Sequence, residues 1–198
     1  HTHAGIKSSS LWSCVAQAPV QKLRNNLITT GWLSWWAQAI LTTISGVLLL
    51  FANSVSSSIS TFALIGRAFA LGGLGCSIAS TLWTWKYSRL AAKLGASSPE
   101  TSPADAASQV RGLVGFGASI NMLGMLLCIV GAEAIVGTLA AKALTTSQVA
   151  VLGVTASPVQ ALDLLIVQAN TNIILAHFIA LAGGMRVRAA AQGCEEEG

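Results

Sequence analysis

The segment "LLIVQANTNIILAHF", residues 164–178, is as apolar as a membrane span, yet it contains several hydrogen-bonding side chains. Asp163, Asn170 and His177 recur at intervals of seven residues, so a helix would place them on one face over about 21 Å. Each of these groups would cost free energy if it faced hydrocarbon. A lone intramembrane histidine is usually a hydrogen-bonded packing residue, and the alternative for His177 is a relay of protons or of a metal ion.

Gln168 and Asn172 would project from the other side of the same helix. The start of the helix is indicated by Ser157 and Pro158, because serine is a common cap and proline is common in the first turn. A helix that is polar on two faces is expected in the middle of its bundle or against a partner. Its polar groups should therefore face protein or a wet cavity.

Arg67, Glu133 and Asp163 are ionisable residues that fall inside apolar segments. Each lies about four or five residues from the outer end of its predicted span, which is roughly 6–8 Å of depth at helical rise. An isolated charge at that depth is costly, so Arg67 is expected to pair with one or both carboxylates. The first interpretation is a structural ion-pair cluster. The alternatives are an entrance site for a cation at Glu133 and Asp163, and snorkelling of the side chains to the interface.

A second layer of polar side chains is expected nearer to the inner membrane face, about 8–12 residues from the inner ends of the spans. It comprises Gln38, Ser77 or Ser80, Asn121 and His177, and together with Gln168 and Asn170 these residues make up a candidate inner polar layer or path. The metal signal is weak, because His177 is accompanied by no second histidine and no cysteine at ligand spacing. No metal site and no resident cofactor are therefore predicted.

The composition indicates a membrane protein. Of the 198 residues, 53% are hydrophobic and only 9% are charged, whereas roughly a quarter are charged in an ordinary soluble domain. The sequence contains no Ser-His-Asp arrangement on loops, no glycine-rich phosphate cradle and no HExxH motif, so an enzyme is not expected. Nucleic-acid binding is not expected either, because the basic residues flank apolar segments and lack interleaved aromatic residues.

Four segments meet the requirement of about 20 mostly apolar residues for a transmembrane helix. They are approximately residues 29–52, 62–85, 114–139 and 159–184. Trp32, Trp35 and Trp36 recur at helical spacing near the start of the first segment, as in an interfacial aromatic belt. The sequence thus predicts an all-α bundle of four transmembrane helices. This membrane domain covers residues 25–188, with an N-terminal extension at 1–24 and an acidic tail at 189–198.

The placement of lysine and arginine predicts that both termini lie on the same, positive side of the membrane. With four spans, the N-terminal region, a loop at 86–113 and the C-terminal region share one side, which holds nine basic residues, whereas the other side holds only Lys142. Within that loop, residues 95–108 contain two prolines and are expected to form an irregular linker. The first residues, "HTHAGIKSSS", are compatible with a processed organellar precursor or with a shortened chain.

Small residues form two rows that predict close helix contacts. They are Gly117, Gly124 and Gly131 in the third span, and Gly72, Cys76 and Ser80 in the second. Close packing within one bundle is the first interpretation, and a pore-lining groove is the alternative. The same rows would serve self-association or assembly with other membrane-protein subunits.

Two blocks of sequence resemble a known family. "NMLGMLLCIVGAEAIVGTLAAKAL" (121–144) and "SPVQALDLLIVQANTNIILAHFIAL" (157–181) are similar to the four-span chloroplast inner-envelope family named for the twenty-one kilodalton component of the inner-envelope translocon, also called permease in chloroplasts. The resemblance covers about residues 25–188, and the first two spans match more loosely than the last two.

The resemblance implies a multi-pass protein of the chloroplast inner envelope membrane, with both termini on the stromal side. The family is linked to preprotein import and, in a competing proposal, to iron transport, and it supplies no catalytic or ligand residue. The leading hypothesis is therefore a non-enzymatic subunit or support factor of the import machinery, with other membrane-protein subunits or further copies of the chain as partners. The alternatives are an iron permease, with iron as the cargo, and a small membrane subunit of a photosynthetic complex.

Overall fold

The computed structural model describes the backbone of residues 2–55, 61–96, 102–151 and 161–197, and the side chains of residues 18–55, 64–95, 102–144 and 164–197. The described chain forms four helices in the order α1 (Thr2–Val55), α2 (Thr61–Ala96), α3 (Pro103–Val151) and α4 (Ala161–Glu196). The predicted all-α fold is confirmed.

All four helices are long and apolar enough to cross a membrane. The segments that meet this requirement are Ala18–Val55, Leu64–Gly95, Pro103–Leu144 and Leu164–Glu196. They coincide with the four predicted spans, but each extends further at the end that was predicted to be inner. Which compartment faces that end stays a prediction.

Most of the region 86–113, which was predicted as a loop, is helical in the structure. Helix α2 continues to Ala96 and helix α3 already begins at Pro103. These turns contain many strong helix formers such as alanine, leucine, lysine and arginine. They also bury one face, on which Ala91 and Val110 are fully covered. Hydropathy alone did not predict these helical turns, because their other face is charged.

The first turn of α3 explains why the predicted irregular linker ends early. The Oγ atom of Ser102 accepts a hydrogen bond from the backbone N–H of Asp105 at 3.1 Å, which is the geometry of a helix cap. Pro103 occupies the first helical position, where its missing N–H costs nothing. The proline was therefore a helix start, although it was interpreted as a linker residue.

One compact unit consists of His1–Trp36, Ser80–Ser119 and Ile179–Gly198. It contains the N-terminal region, the residues on either side of the α2–α3 connection and the C-terminal region, which were predicted to share one side of the membrane. Its core includes the buried side chains of Leu23 from α1, Ala91 from α2, Val110 from α3 and Val187 from α4. All four helices therefore contribute to this unit.

The C-terminal residues that were predicted as an acidic tail continue α4 to Glu196. Two ion pairs between exposed side chains connect this end of α4 to other helices. The Nζ atom of Lys22 lies 2.7 Å from Oε1 of Glu197, and the guanidinium of Arg111 contacts the carboxylate of Glu195. The tail charges are thus paired as well as solvated.

The other compact unit consists of Ala37–Ala79 and Ile120–Phe178. Its apolar core is centred on Ile166 and Ile173 of α4, which pack among Ala70 of α2 and Cys128 of α3. The buried residues of α4 recur every three or four positions, as expected for one face of a helix.

The rows of small residues are helix contacts, and Gly73 adds to the row on α2. A Cβ atom at Gly131 would lie 3.0 Å from the carbonyl oxygen of Gly66, so α2 and α3 approach closely there. On α2, however, Gly72 is exposed, and the neighbouring Gly73 lies at the contact, where a Cβ atom would be 3.3 Å from the oxygen of Gly124. The predicted row nevertheless takes part in the contact, since a Cβ atom at Gly124 would lie 2.7 Å from Cβ of Cys76 and one at Gly72 would lie 3.4 Å from the side chain of Leu127.

The outer surface of the described helices is largely apolar, as a membrane protein requires. Large side chains such as Leu50 and Leu82 are 70% and 68% exposed. Trp32 and Trp36 are also exposed, and the ring of Trp35 lies 5.6 Å from that of Trp85. This cluster of tryptophans agrees with the predicted aromatic belt.

Candidate functional site

His177 is fully buried and connects three helices of its unit. Its Nδ1 atom lies 2.8 Å from Oδ1 of Asn121 on α3, and its Nε2 atom lies 3.3 Å from the carbonyl oxygen of Gly73 on α2. Two of the residues in the predicted inner layer are therefore in direct contact. The intramembrane histidine is hydrogen-bonded through both ring nitrogens.

The two contacts of His177 limit its protonation. A neutral imidazole carries one N–H, and the Gly73 carbonyl can only accept, so the proton belongs on Nε2. The Nδ1 atom must then accept, which the Asn121 amide satisfies when its NH2 group occupies the position of its oxygen. An imidazolium would instead donate to both oxygen atoms. Because both described partners are neutral and burial of a charge is costly, the site suits the neutral ring.

Gly124 makes room for the imidazole ring. A Cβ atom at this position would collide with the ring of His177, and it would also lie 2.7 Å from Cβ of Cys76. The central glycine of the predicted α3 row is thus required by the histidine as well as by the close approach of α2.

Asn170 lies on the same buried face of α4 as His177, as their spacing predicted. Its Nδ2 atom donates a hydrogen bond of 2.8 Å to the carbonyl oxygen of Cys128. Its Oδ1 atom is buried without a hydrogen-bond partner among the described atoms. The interior of this unit therefore contains one acceptor that a small polar molecule would satisfy.

Helix α1 supplies a row of buried polar side chains of which the sequence analysis recognised only Gln38. The members, at intervals of three or four residues, are Thr30, Ser34, Gln38, Thr42 and Ser45. The Oγ1 atom of Thr42 lies 2.6 Å from the Oγ atom of Ser77 on α2. The periodic placement of these hydroxyl and amide groups was visible in the sequence, but averaging over the apolar window concealed it.

Gln168 does not belong to the buried layer, and this part of the prediction is corrected. Its side chain is exposed, and its Nε2 atom donates to Oδ1 of Asn172, one turn along the same helix, at 3.0 Å. Thr171 is also exposed on this face. The reason is helical geometry: positions 168 and 170 are about 200° apart around the axis, so one faces outward when the other is buried.

The predicted ionisable layer is only partly described. Arg67 is buried, and its side chain borders a small pocket with Asn53 and Ile166, whereas Glu133 is exposed. Ion pairs between described side chains join Lys22 to Glu197 and Arg111 to Glu195. The side chain of Asp163 lies outside the described residues. A contact between Arg67 and Asp163 stays a prediction.

Comparison with known proteins now gives the family. The family described as "Protein of unknown function (DUF3611)" matches residues 17–187. The chain belongs to this family. All the candidate residues, from Gln38 to His177, lie inside the part that matches the DUF3611 family.

A curated relative agrees with the resemblance found in the two sequence blocks. "Protein TIC 21, chloroplastic" from Arabidopsis thaliana is 34% identical over 154 residues, which cover 76% of the chain and 51% of that protein. The chain thus spans about half the length of this relative. No solved structure matches the chain. The resemblance to the translocon-component family is confirmed.

The site geometry of this DUF3611 member contains amide, imidazole and hydroxyl groups. Within the described side chains, there is no group of three or more His, Cys, Asp or Glu residues that could hold a metal ion. These groups can link the helices by hydrogen bonds. They can also hydrogen-bond a small polar molecule, and the imidazole can accept a proton. Iron binding stays a prediction of the permease alternative.

Proposed function

We propose that the protein is a non-enzymatic, multi-pass subunit or support factor of the preprotein import machinery in the chloroplast inner envelope membrane. Membership of the DUF3611 family, the similarity to Protein TIC 21 and four helices suited to a membrane support this proposal. The exposed face of α4 would then contact other subunits.

The observation that carries the proposal is the exposed amide pair of Gln168 and Asn172. Residue 168 lies about 13 Å inside the predicted span 159–184 at helical rise, which is well within the hydrocarbon region. The bond between the two amides uses one N–H of Gln168 and leaves other donors and acceptors for a neighbour. Lipid chains cannot hydrogen-bond these groups, but a polar side chain on a partner helix can.

Packing among the described side chains leaves this face of α4 exposed. Leu164, Leu175 and Phe178 share it with Gln168, and all are exposed. From the sequence, a helix with two polar faces was expected either in the middle of its bundle or against a partner. Because the described helices bury the face with Asn170 and His177 and leave the face with Gln168 exposed, contact with a partner is the position that suits α4.

A second candidate function is the permease alternative, which the buried polar row of α1 favours. Gln38, Thr42 and Ser45 would supply oxygen and amide groups along the interior of one unit, and Asn170 has a buried acceptor that lacks a partner among the described atoms. In this alternative iron is the cargo, and the buried groups would line its path. The exposed amide pair has no role in it.

Site-specific photo-crosslinking separates the two candidates. A photoreactive amino acid is introduced at Leu175, on the face of Gln168, and in a matched control at Leu82, an exposed position of α2. The chain, fused to a transit sequence, is imported into isolated chloroplasts that hold an arrested preprotein. We expect position 175 to crosslink to other translocon subunits and position 82 to crosslink to lipid.

The double variant Gln168→Leu/Asn172→Leu tests the amide pair itself. It should reduce the crosslinks from position 175 to other subunits severalfold without changing the thermal stability of the purified chain. Crosslinks only to lipid, or only between copies of this chain, would contradict the subunit function. Uptake of ferrous iron into vesicles that contain the purified chain alone would favour the permease.

A further inference from the structure

A groove of about 550 Å³ opens on the surface between α2 and α3 in the unit that contains both chain ends. Its floor is apolar and rigid. The Nε1 atom of Trp83 donates a hydrogen bond of 3.0 Å to the carbonyl oxygen of Leu113, and the Trp83 ring lies 4.2 Å from that of Phe116. The groove therefore has a fixed aromatic base.

One edge of the groove is cationic. The Nζ atom of Lys86 lies over the ring of Trp83, 3.2 Å from its centroid. The described ion pairs, Lys22–Glu197 and Arg111–Glu195, do not include Lys86. A lysine held on an aromatic face keeps most of its charge for an additional anion. This edge is thus suited to a negative group.

Further polar side chains lie next to Lys86 at this edge of the groove. Lys93 donates from Nζ to Oε1 of Gln109 at 3.2 Å. The nearest acidic residue on α3 is Asp105, whose carboxylate accepts a hydrogen bond from Ser102 at 2.8 Å. The groove therefore combines Lys86 with an apolar floor, Lys93 adjoins it through Gln109, and its acidic neighbour has a partner of its own.

The depth of the groove matches the boundary between headgroups and acyl chains. Lys86 follows Trp85, a member of the tryptophan cluster, and aromatic belts lie at the level of the headgroups. Phe116 lies inside the predicted third span, so the floor continues toward the hydrocarbon. At Gly112, a Cβ atom would meet nothing within 4 Å, which leaves open space above the floor.

We propose that this groove is a binding site for one anionic phospholipid. The phosphate lies against Lys86, with Lys93 and Gln109 beside the rest of the headgroup, and one acyl chain lies over Gly112 and Phe116. Basic pockets between transmembrane helices at this level recognise anionic headgroups. The ammonium of a zwitterionic lipid would meet the lysines, so neutral phospholipids should be excluded.

Native mass spectrometry in a mild detergent tests the site. The purified chain is mixed with phosphatidylglycerol or with phosphatidylcholine of the same acyl chains, and the bound lipid is counted. We expect one phosphatidylglycerol to be retained and phosphatidylcholine to be retained at least fivefold less. Lys86→Gln should lower the retention of phosphatidylglycerol at least fivefold, and Lys86→Arg should preserve it.

Two pairs of variants distinguish a site from general attraction. Arg89→Gln removes one exposed positive charge from the same helix outside the groove and should leave retention unchanged. Gly112→Leu fills the space of the acyl chain and should abolish retention. Gly115→Leu adds the same side chain at a position that is also open but outside the groove, and should have no effect.

The outcomes that overturn the proposal are specific. Equal losses in Lys86→Gln and Arg89→Gln would mean that net charge alone attracts the lipid. Retention that survives Gly112→Leu would mean that no acyl chain occupies the groove. Displacement of the lipid by inorganic phosphate at millimolar concentration would identify a phosphate site in place of a lipid site. Thermal melts of every variant show whether a loss arises from unfolding.

Discussion

The Nδ1 atom of His177 lies 2.8 Å from Oδ1 of Asn121 in a part of the bundle where both side chains are buried. Neither group can exchange this partner for water, so each depends on the other. The contact joins α3 to α4, and the second ring nitrogen extends it to α2. Substitutions that separate the two residues should therefore show a large energetic coupling.

Asn121→Leu should lower the free energy of unfolding by about 1–3 kcal/mol, because the buried Nδ1 atom of His177 loses its partner. The double variant Asn121→Leu/His177→Leu should recover part of this loss, since no polar group is then left unsatisfied. Thermal melts in detergent of the two single variants and the double variant measure the coupling. Ser119→Ala, at an exposed position of α3, is the control. Additive effects would show that the contact contributes no stability.

Gly124→Ala should destabilise the chain by about 1–3 kcal/mol, because the added methyl group collides with the imidazole ring. Gly137→Ala is the matched control on the same helix, since a Cβ atom there would meet nothing within 4 Å. It should be neutral or stabilise by up to about 1 kcal/mol through helix propensity. Denaturation in detergent compares the two variants. Equal stability of both would contradict the close contact at Gly124.

Arg67→Met should lower the unfolding free energy by on the order of 3–5 kcal/mol if it leaves a buried carboxylate without its partner. The predicted partner is Asp163, so adding Asp163→Asn should restore much of the loss. Glu133→Gln, at an exposed position, should restore none of it. The melts are repeated with ferrous iron. A shift that depends on the metal and disappears in Glu133→Gln alone would support the cation-entrance alternative.

Single cysteines at positions 98 and 198 should react with a membrane-impermeant probe from the same side of sealed membranes. The prediction follows from the four helices and from the distribution of basic residues. A cysteine at position 142 should react only from the opposite side. Opposite labelling of positions 98 and 198 would refute the predicted topology.

The spacing of polar residues along α4 predicted its buried face, because Asn170 and His177 recur at two helical turns and are both fully buried. The same spacing put Gln168 on the other side of the helix, yet Gln168 was also counted in the candidate inner layer or path, and its side chain is exposed. Charged or polar residues at a given depth can face either way, and only the neighbouring helices decide. The sequence alone does not show which side of α4 faces the interior, because this depends on how α2 and α3 pack against it.

Neighbouring small residues set a second limit on prediction. Gly72 and Gly73 both precede small residues at helical spacing and both lie near α3, but only Gly73 is buried against it. The helical extensions beyond the membrane were missed for another reason. Three basic residues, Lys86, Arg89 and Lys93, lower the mean hydropathy of positions 86 to 96, yet one face still packs in the core.

The hydrogen bonds of α4 have a consequence for how the chain is made. Asn170 and His177 reduce the tendency of α4 to enter a bilayer by itself. Their partners, the carbonyl oxygens of Cys128 and Gly73 and the amide of Asn121, belong to helices that are synthesised earlier. When the helices enter the membrane in chain order, the acceptors for α4 are there before it arrives. Insertion of α4 into the membrane should therefore depend on the presence of α2 and α3.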